Sequence, residues 1–92
     1  MSKTYVVRFS KAADKALTKM DSFEKQLVVS WIEDKLEGCT NPRIHGKSLT
    51  GELSGKWRYR VGSYRIIAEI LDSEIVIYIL DIGHRSDIYK KP

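Results

Sequence analysis

One cysteine and two prolines in 92 residues leave this chain with almost nothing to cross-link or interrupt it. Cys39 has no second thiol to pair with, so an internal disulfide framework is excluded and a reducing, cytoplasmic setting is the expected one. No apolar run is long enough to span a bilayer, and no secretory leader pattern is present. The Cys/His spacings that hold zinc, a glycine-rich phosphate cradle and an evident Ser-His-Asp order are all missing, so no metal and no cofactor are expected. There is no repeat and no linker, which leaves one domain spanning residues 1–92. With 42% hydrophobic and 30% charged residues the composition is that of a folded globule.

Negative charge is also scarce in one place. Between Arg43 and Arg65 the cations Arg43, Lys47, Lys56, Arg58, Arg60 and Arg65 face Glu52 alone, so this quarter of the chain accounts for the whole net charge of +4. A charge run is commonly just a solvated face. Clustering of this degree is also the electrostatic footprint of a protein that meets a polyanion.

Period-two alternation of Tyr5, Val7 and Phe9 predicts a strand over roughly Lys3 to Phe9. Ser10 is placed to cap a short helix whose Ala13, Ala16, Leu17 and Met20 recur at helical spacing. Asp21 and Glu24 have capping-box spacing ahead of a longer helix carrying Phe23, Leu27, Val28, Trp31, Ile32 and Leu36, and Gly38 suits its end. A long connection from Cys39 to Lys56 follows. Trp57, Tyr59 and Val61 then alternate with Arg58 and Arg60, Gly62-Ser63 suits a two-residue hairpin turn, and Tyr64 to Leu71 returns. Asp72-Ser73 predicts a second such turn, and the aliphatic run from Glu74 to Ile82 predicts a strand buried on both faces that stops at Gly83. The expected architecture is α+β: strand, helix, helix and a three-strand antiparallel meander, with the helical pair packed on one sheet face.

Residues at i and i+2 on a strand share a face about 7 Å apart, close to the phosphate spacing of an extended nucleic-acid strand. Arg58 and Arg60 have that spacing, Lys56 extends the row, and the hairpin returns Arg65 to it. Guanidinium groups bind phosphate bidentately and keep their charge, so such a row can orient a scissile phosphate and stabilise charge that develops on it. Exposed strand arginines also serve simply to discourage edge pairing. Beyond the last strand His84 offers proton transfer, with Asp81 or Asp87 to orient it, Arg85 a further phosphate contact and Tyr89 a stacking surface. Trp31 and Trp57 are expected in the core, and His45 as a structural or solvent-exposed loop residue. Arg43 and Lys47, in the loop, are expected to give general attraction to RNA.

The run Gly55-Lys56-Trp57-Arg58-Tyr59-Arg60-Val61-Gly62-Ser63-Tyr64-Arg65, together with Ile82-Gly83-His84-Arg85-Ser86-Asp87-Ile88-Tyr89, resembles the RelE-type toxins of bacterial and archaeal toxin–antitoxin systems, and the resemblance covers nearly the whole chain. It implies the RelE/ParE-like fold, and a ribosome-dependent endoribonuclease that cuts messenger RNA in the A site by 2′-hydroxyl attack and halts translation. It further implies a cognate antitoxin and a toxin–antitoxin hetero-oligomer. Carried over by motif position, Arg58 and Arg60 contact the message and help activate the nucleophile, Arg65 stabilises the phosphate, Arg85 assists the leaving group and Tyr89 stacks on the target base. Well-known members of the family have lysines where this chain has Arg58 and Arg60. Arginine stays protonated at ordinary pH, which moves the proton-transfer expectation to His84. The competing expectation is a ParE-like inhibitor of DNA gyrase that cleaves nothing, because the same fold serves both.

Overall fold

Both helices begin where short polar side chains replace the missing backbone partners of a first turn. The computed structural model describes residues 3–84. In it Ser10 Oγ accepts from the Ala13 amide and opens α1 (Lys11–Lys19), while Asp21 Oδ1 accepts from the Glu24 amide at 2.9 Å and opens α2 (Ser22–Lys35). The hydrogen bond from Glu24 holds the Asp21 carboxyl below its usual range. Gly38, at φ 79°, lets the chain turn back so that its amide donates to the Tyr5 carbonyl.

The strands are β1 (Val6–Phe9), β2 (Lys47–Ser48), β3 (Trp57–Val61), β4 (Tyr64–Leu71) and β5 (Val76–His84), with one 3₁₀ turn at Gly51–Leu53. They form one sheet in the order β1-β5-β4-β3-β2. The α1–α2 pair carries β1 over to lie parallel to β5, and the remaining pairs are antiparallel. Ala13, Leu17, Val28, Ile32 and Leu36 of the helical layer pack on Tyr59, Val61, Ile66, Ala68, Ile77, Ile79 and Ile82 of one sheet face. The α+β fold and the helical cover on one face are therefore as expected.

Four local expectations change. β1 begins at Val6 rather than Lys3. The connection before β3 contains β2, a two-residue edge strand that the isolated Lys47-Ser48 pair gave no periodicity to reveal. The β4–β5 turn is residues 72–75 rather than a two-residue device, with Ile75 at φ 56° closing it. β5 runs through Gly83 to His84, and its burial alternates instead of being complete on both faces, because the helices cover one face only. Between Ile67 and Ala68 the β4–β5 register slips, so that Leu80 is left over as a bulge residue. Its carbonyl accepts from Ser10 Oγ at 2.7 Å, which ties the α1 cap to the irregular point of β5.

Candidate nucleic-acid interface

Residues paired directly across a sheet project from the same face. Lys47 lies opposite Arg58, Arg58 opposite Ile67, Arg60 opposite Arg65, and Arg65 opposite Gly83. Lys47, Arg58, Arg60 and Arg65 therefore share the face turned away from the helices. The alternate residues Trp57, Tyr59 and Val61 turn to the core. Gly83, the partner of Arg65 on β5, presents no side chain on the arginine face.

Exposure divides the four. Arg60 is exposed, Lys47 is exposed and Arg58 is half-buried, whereas Arg65 is only 3% exposed. The expected row is thus one face, but its members differ in access: Arg65 is buried, while its cross-strand partner Arg60 is exposed. Lys56 joins the same face, but its Nζ lies 3.6 Å from Glu69 Oε2, so part of its charge is already compensated. Arg43 is committed elsewhere. Its guanidinium donates to both carboxylate oxygens of Asp72, at 3.1 and 2.9 Å, and lies 6.0 Å from the Trp57 ring centroid. The arginine holds the Asp72 carboxyl below its usual range, aided by the Tyr5 hydroxyl, which donates to it at 2.7 Å. Arg43 is therefore half of an exposed ion pair with Asp72, so part of its charge is already compensated, and Lys47 belongs to a strand rather than to a loop.

Beside the arginines the sheet edge opens into a cleft of about 500 Å³ lined by Trp31, Ile44, His45, Gly46, Lys47, Arg58 and Arg60. None of these residues is acidic. The lining combines aromatic and aliphatic side chains with three cations, a composition that suits a nucleotide better than a protein side chain. The loop that closes it is held closely. Tyr59 Oη donates to the Pro42 carbonyl and Trp57 Nε1 to the His45 carbonyl, each at 2.7 Å. Burial pushes the Tyr59 phenol well up, so it remains a neutral donor. Gly46, at φ 81°, lies so close to the Arg58 carbonyl and the Trp57 indole that a Cβ there would overlap both. Trp31 is half-buried, its ring 5.6 Å from Tyr59 and 5.8 Å from His45, so it packs on the core and also lines the cleft.

His84 is not brought to this site. It pairs with Tyr64, on the side opposite Arg65, and its ring meets Tyr64 edge-on at 5.8 Å. There it lines a larger concavity of about 760 Å³ against α1, among Lys15, Lys19, Asp21, Glu24 and Asp81, where charges of both signs mix. Arg85, Asp87 and Tyr89 lie outside the described residues. Among the described residues no group of acidic, His or Cys side chains could hold a metal ion. Trp31, Ile44 and His45 are the cleft residues that sequence reasoning missed. The pairing of Asn41-Pro42 with Gly46 was the available signal, since it marks a loop bent back on the strand that follows.

A family profile described as ParE toxin of type II toxin-antitoxin system, parDE, matches residues 7–89. The chain belongs to this family of type II toxin–antitoxin toxins. It is 34% identical over 87 residues to Toxin RelG of Mycobacterium tuberculosis, covering 95% of this chain and 98% of that protein. It is 26% identical over 90 residues to the mRNA interferase toxin RelE of Escherichia coli K12, covering 95% and 92%. Among solved structures the toxin–antitoxin complex RelBE2 of M. tuberculosis superposes with a TM-score of 0.81 at 33% identity, over 91% of this chain and 94% of the matched chain. A free-state E. coli RelE mutant superposes at 0.72 with 22% identity, over 94% and 90%, a likeness of fold. The RelE/ParE assignment and the two-helix, five-strand fold are thus established together.

Proposed function

We propose that this toxin is a cytoplasmic, ribosome-dependent endoribonuclease that cuts messenger RNA through attack of a 2′-hydroxyl on the adjacent phosphate. The observation that carries the reading is the acid-free cleft that Arg58, Arg60 and Lys47 line together with Trp31 and Ile44, with the buried Arg65 paired across the sheet from Arg60. In such a site the arginines orient the phosphate and offset the charge that gathers on its oxygens as the 2′-oxygen attacks. The substrate supplies the nucleophile, so the protein's work is positioning and charge stabilisation. Similarity to a protein named mRNA interferase supports the same class of chemistry. The partner set follows from it: ribosome and message when active, and a cognate antitoxin when silent, in line with the toxin–antitoxin complexes among the similar structures.

The matching profile bears the ParE name, which favours the second reading, a gyrase inhibitor without nuclease activity. Induction of the chain in cells followed by mapping of message ends on ribosomes separates the two. Codon-phased cuts are the expected result. Growth arrest with broken DNA and intact message would transfer the protein to the second class.

A further inference from the structure

Attack by a 2′-hydroxyl requires that its proton go somewhere, and the cations of this cleft cannot take it. Arg58 and Arg60 are protonated at every ordinary pH, and a lysine ammonium has no acceptor lone pair. His84, the acceptor expected from the sequence, lies on the other side of the sheet. The lining of the arginine cleft nevertheless contains one imidazole. His45 projects from a loop fixed at three points: its own carbonyl on Trp57 Nε1, the Pro42 carbonyl on Tyr59 Oη, and the tight passage of Gly46 against β3. Its ring is set edge-on to Trp31 at 5.8 Å, interplanar angle 69°. The charged groups that line the cleft with it are Lys47 from β2 and Arg58 and Arg60 from β3. α2 contributes Trp31, and the loop itself Ile44, neither of which titrates.

We infer that His45 is the proton acceptor of this site, a catalytic residue acting on the 2′-hydroxyl of the nucleotide held between Trp31 and the arginines. The inference rests on the proposed ribonuclease reading. In the step it describes, neutral His45 takes the 2′-hydroxyl proton as the 2′-oxygen forms its bond to phosphorus. The bond from phosphorus to the 5′-oxygen breaks, and that oxygen leaves with a proton delivered by water or by the imidazolium. The products are a 2′,3′-cyclic phosphate and a 5′-hydroxyl. No oxidant, metal or further reactant enters the balance.

The test is single-turnover cleavage of a defined message on purified ribosomes by the full chain, followed across about pH 5 to 8, the range over which an imidazole changes charge. The wild-type rate is expected to rise with pH and level off. His45→Gln is expected to lose about 10²-fold in rate, the lower end of general acid–base contributions, together with that pH dependence. His45→Ala should recover part of its rate on addition of free imidazole, a response that a merely structural role would not give. His84→Gln should leave rate and profile unchanged. If the wild type cuts nothing, the ribonuclease reading fails and the inference with it. If the wild type cuts and His45→Gln keeps both rate and profile, or if the profile disappears instead with His84→Gln or Tyr89→Phe, the ribonuclease reading stands and the inference alone is overturned.

Discussion

At the scale of single residues, several side chains hold two elements at once, and their removal is correspondingly costly. Ser10 Oγ accepts from the Ala13 amide and donates to the Leu80 carbonyl, so Ser10→Ala removes a helix cap and leaves a bulge carbonyl without its donor. The two losses together predict destabilisation of about 1–2 kcal/mol, read as a lower midpoint in urea with an unchanged slope. Asp72 has a comparable double role, accepting from Arg43 and Tyr5. Its carboxyl is held below the range of the unfolded chain, chiefly by the hydrogen bonds from Arg43. The stability it adds is therefore fully present above about pH 4 and is lost as pH falls through the lower folded value. More than half of the Asp72 side chain is exposed, so the effect is small, no more than about 1 kcal/mol. Asp72→Asn should lower the urea midpoint at neutral pH and flatten its dependence on pH below about 4; an unchanged pH dependence would remove the ion pair from the account. Arg65 behaves differently from the arginines around it. At 3% exposure it is a structural as well as a chemical residue, and a loss of activity on its truncation would not distinguish the two.

At the scale of elements, the site depends on a loop that has almost no secondary structure of its own. Residues 41–46 are held by side chains of β3, and Gly46 is the point of closest approach. Gly46→Ala places a Cβ against the Arg58 carbonyl at a backbone angle L residues rarely adopt, and should cost about 2–4 kcal/mol. Its signature would be a loss of cleavage that exceeds the loss of fold, because the loop carries the cleft wall; a variant with wild-type stability and activity would contradict the described packing. The regular elements around this loop were legible from the sequence. Ser10 and Asp21 as caps, Gly38 as a helix exit and Gly62 at φ 60° in the β3–β4 turn all follow from local chemistry. The alternation of Trp57-Arg58-Tyr59-Arg60 correctly separated core from open face. What the sequence could not carry was non-local. β2 is too short to have a period, the place of β1 beside β5 depends on the whole helical crossover, and the burial of Arg65 is a property of the assembled sheet that strand alternation alone does not give. The misplacement of His84 came from the same source, since strand order and register decide which side of a sheet a terminal residue meets.

At the scale of the molecule, positive charge and apolar cover have been distributed to opposite faces of one sheet. The helices bury the face of Tyr59, Ile66, Ile77 and Ile79, and the opposite face carries the exposed Lys47 and Arg60 and the half-buried Arg58. Charge concentrated this way speeds the approach of a polyanion and makes binding sensitive to salt. The apparent cluster between Arg43 and Arg65 nevertheless resolves into unequal parts. Arg43 is spent on Asp72 and Lys56 is shared with Glu69, while Lys47, Arg58 and Arg60 line the cleft. The account therefore predicts that the exposed Arg60, not the buried Arg65 or the ion-paired Arg43, gives the cleanest separation of chemistry from folding. The decisive measurement is cleavage of ribosome-bound message by Arg60→Ala compared with the wild type at matched fold, checked by thermal unfolding. Loss of about 10²-fold or more in cutting rate with an unchanged unfolding midpoint is the predicted result. Wild-type cutting by a folded Arg60→Ala would contradict the assignment of the arginine face as the place where RNA is cut.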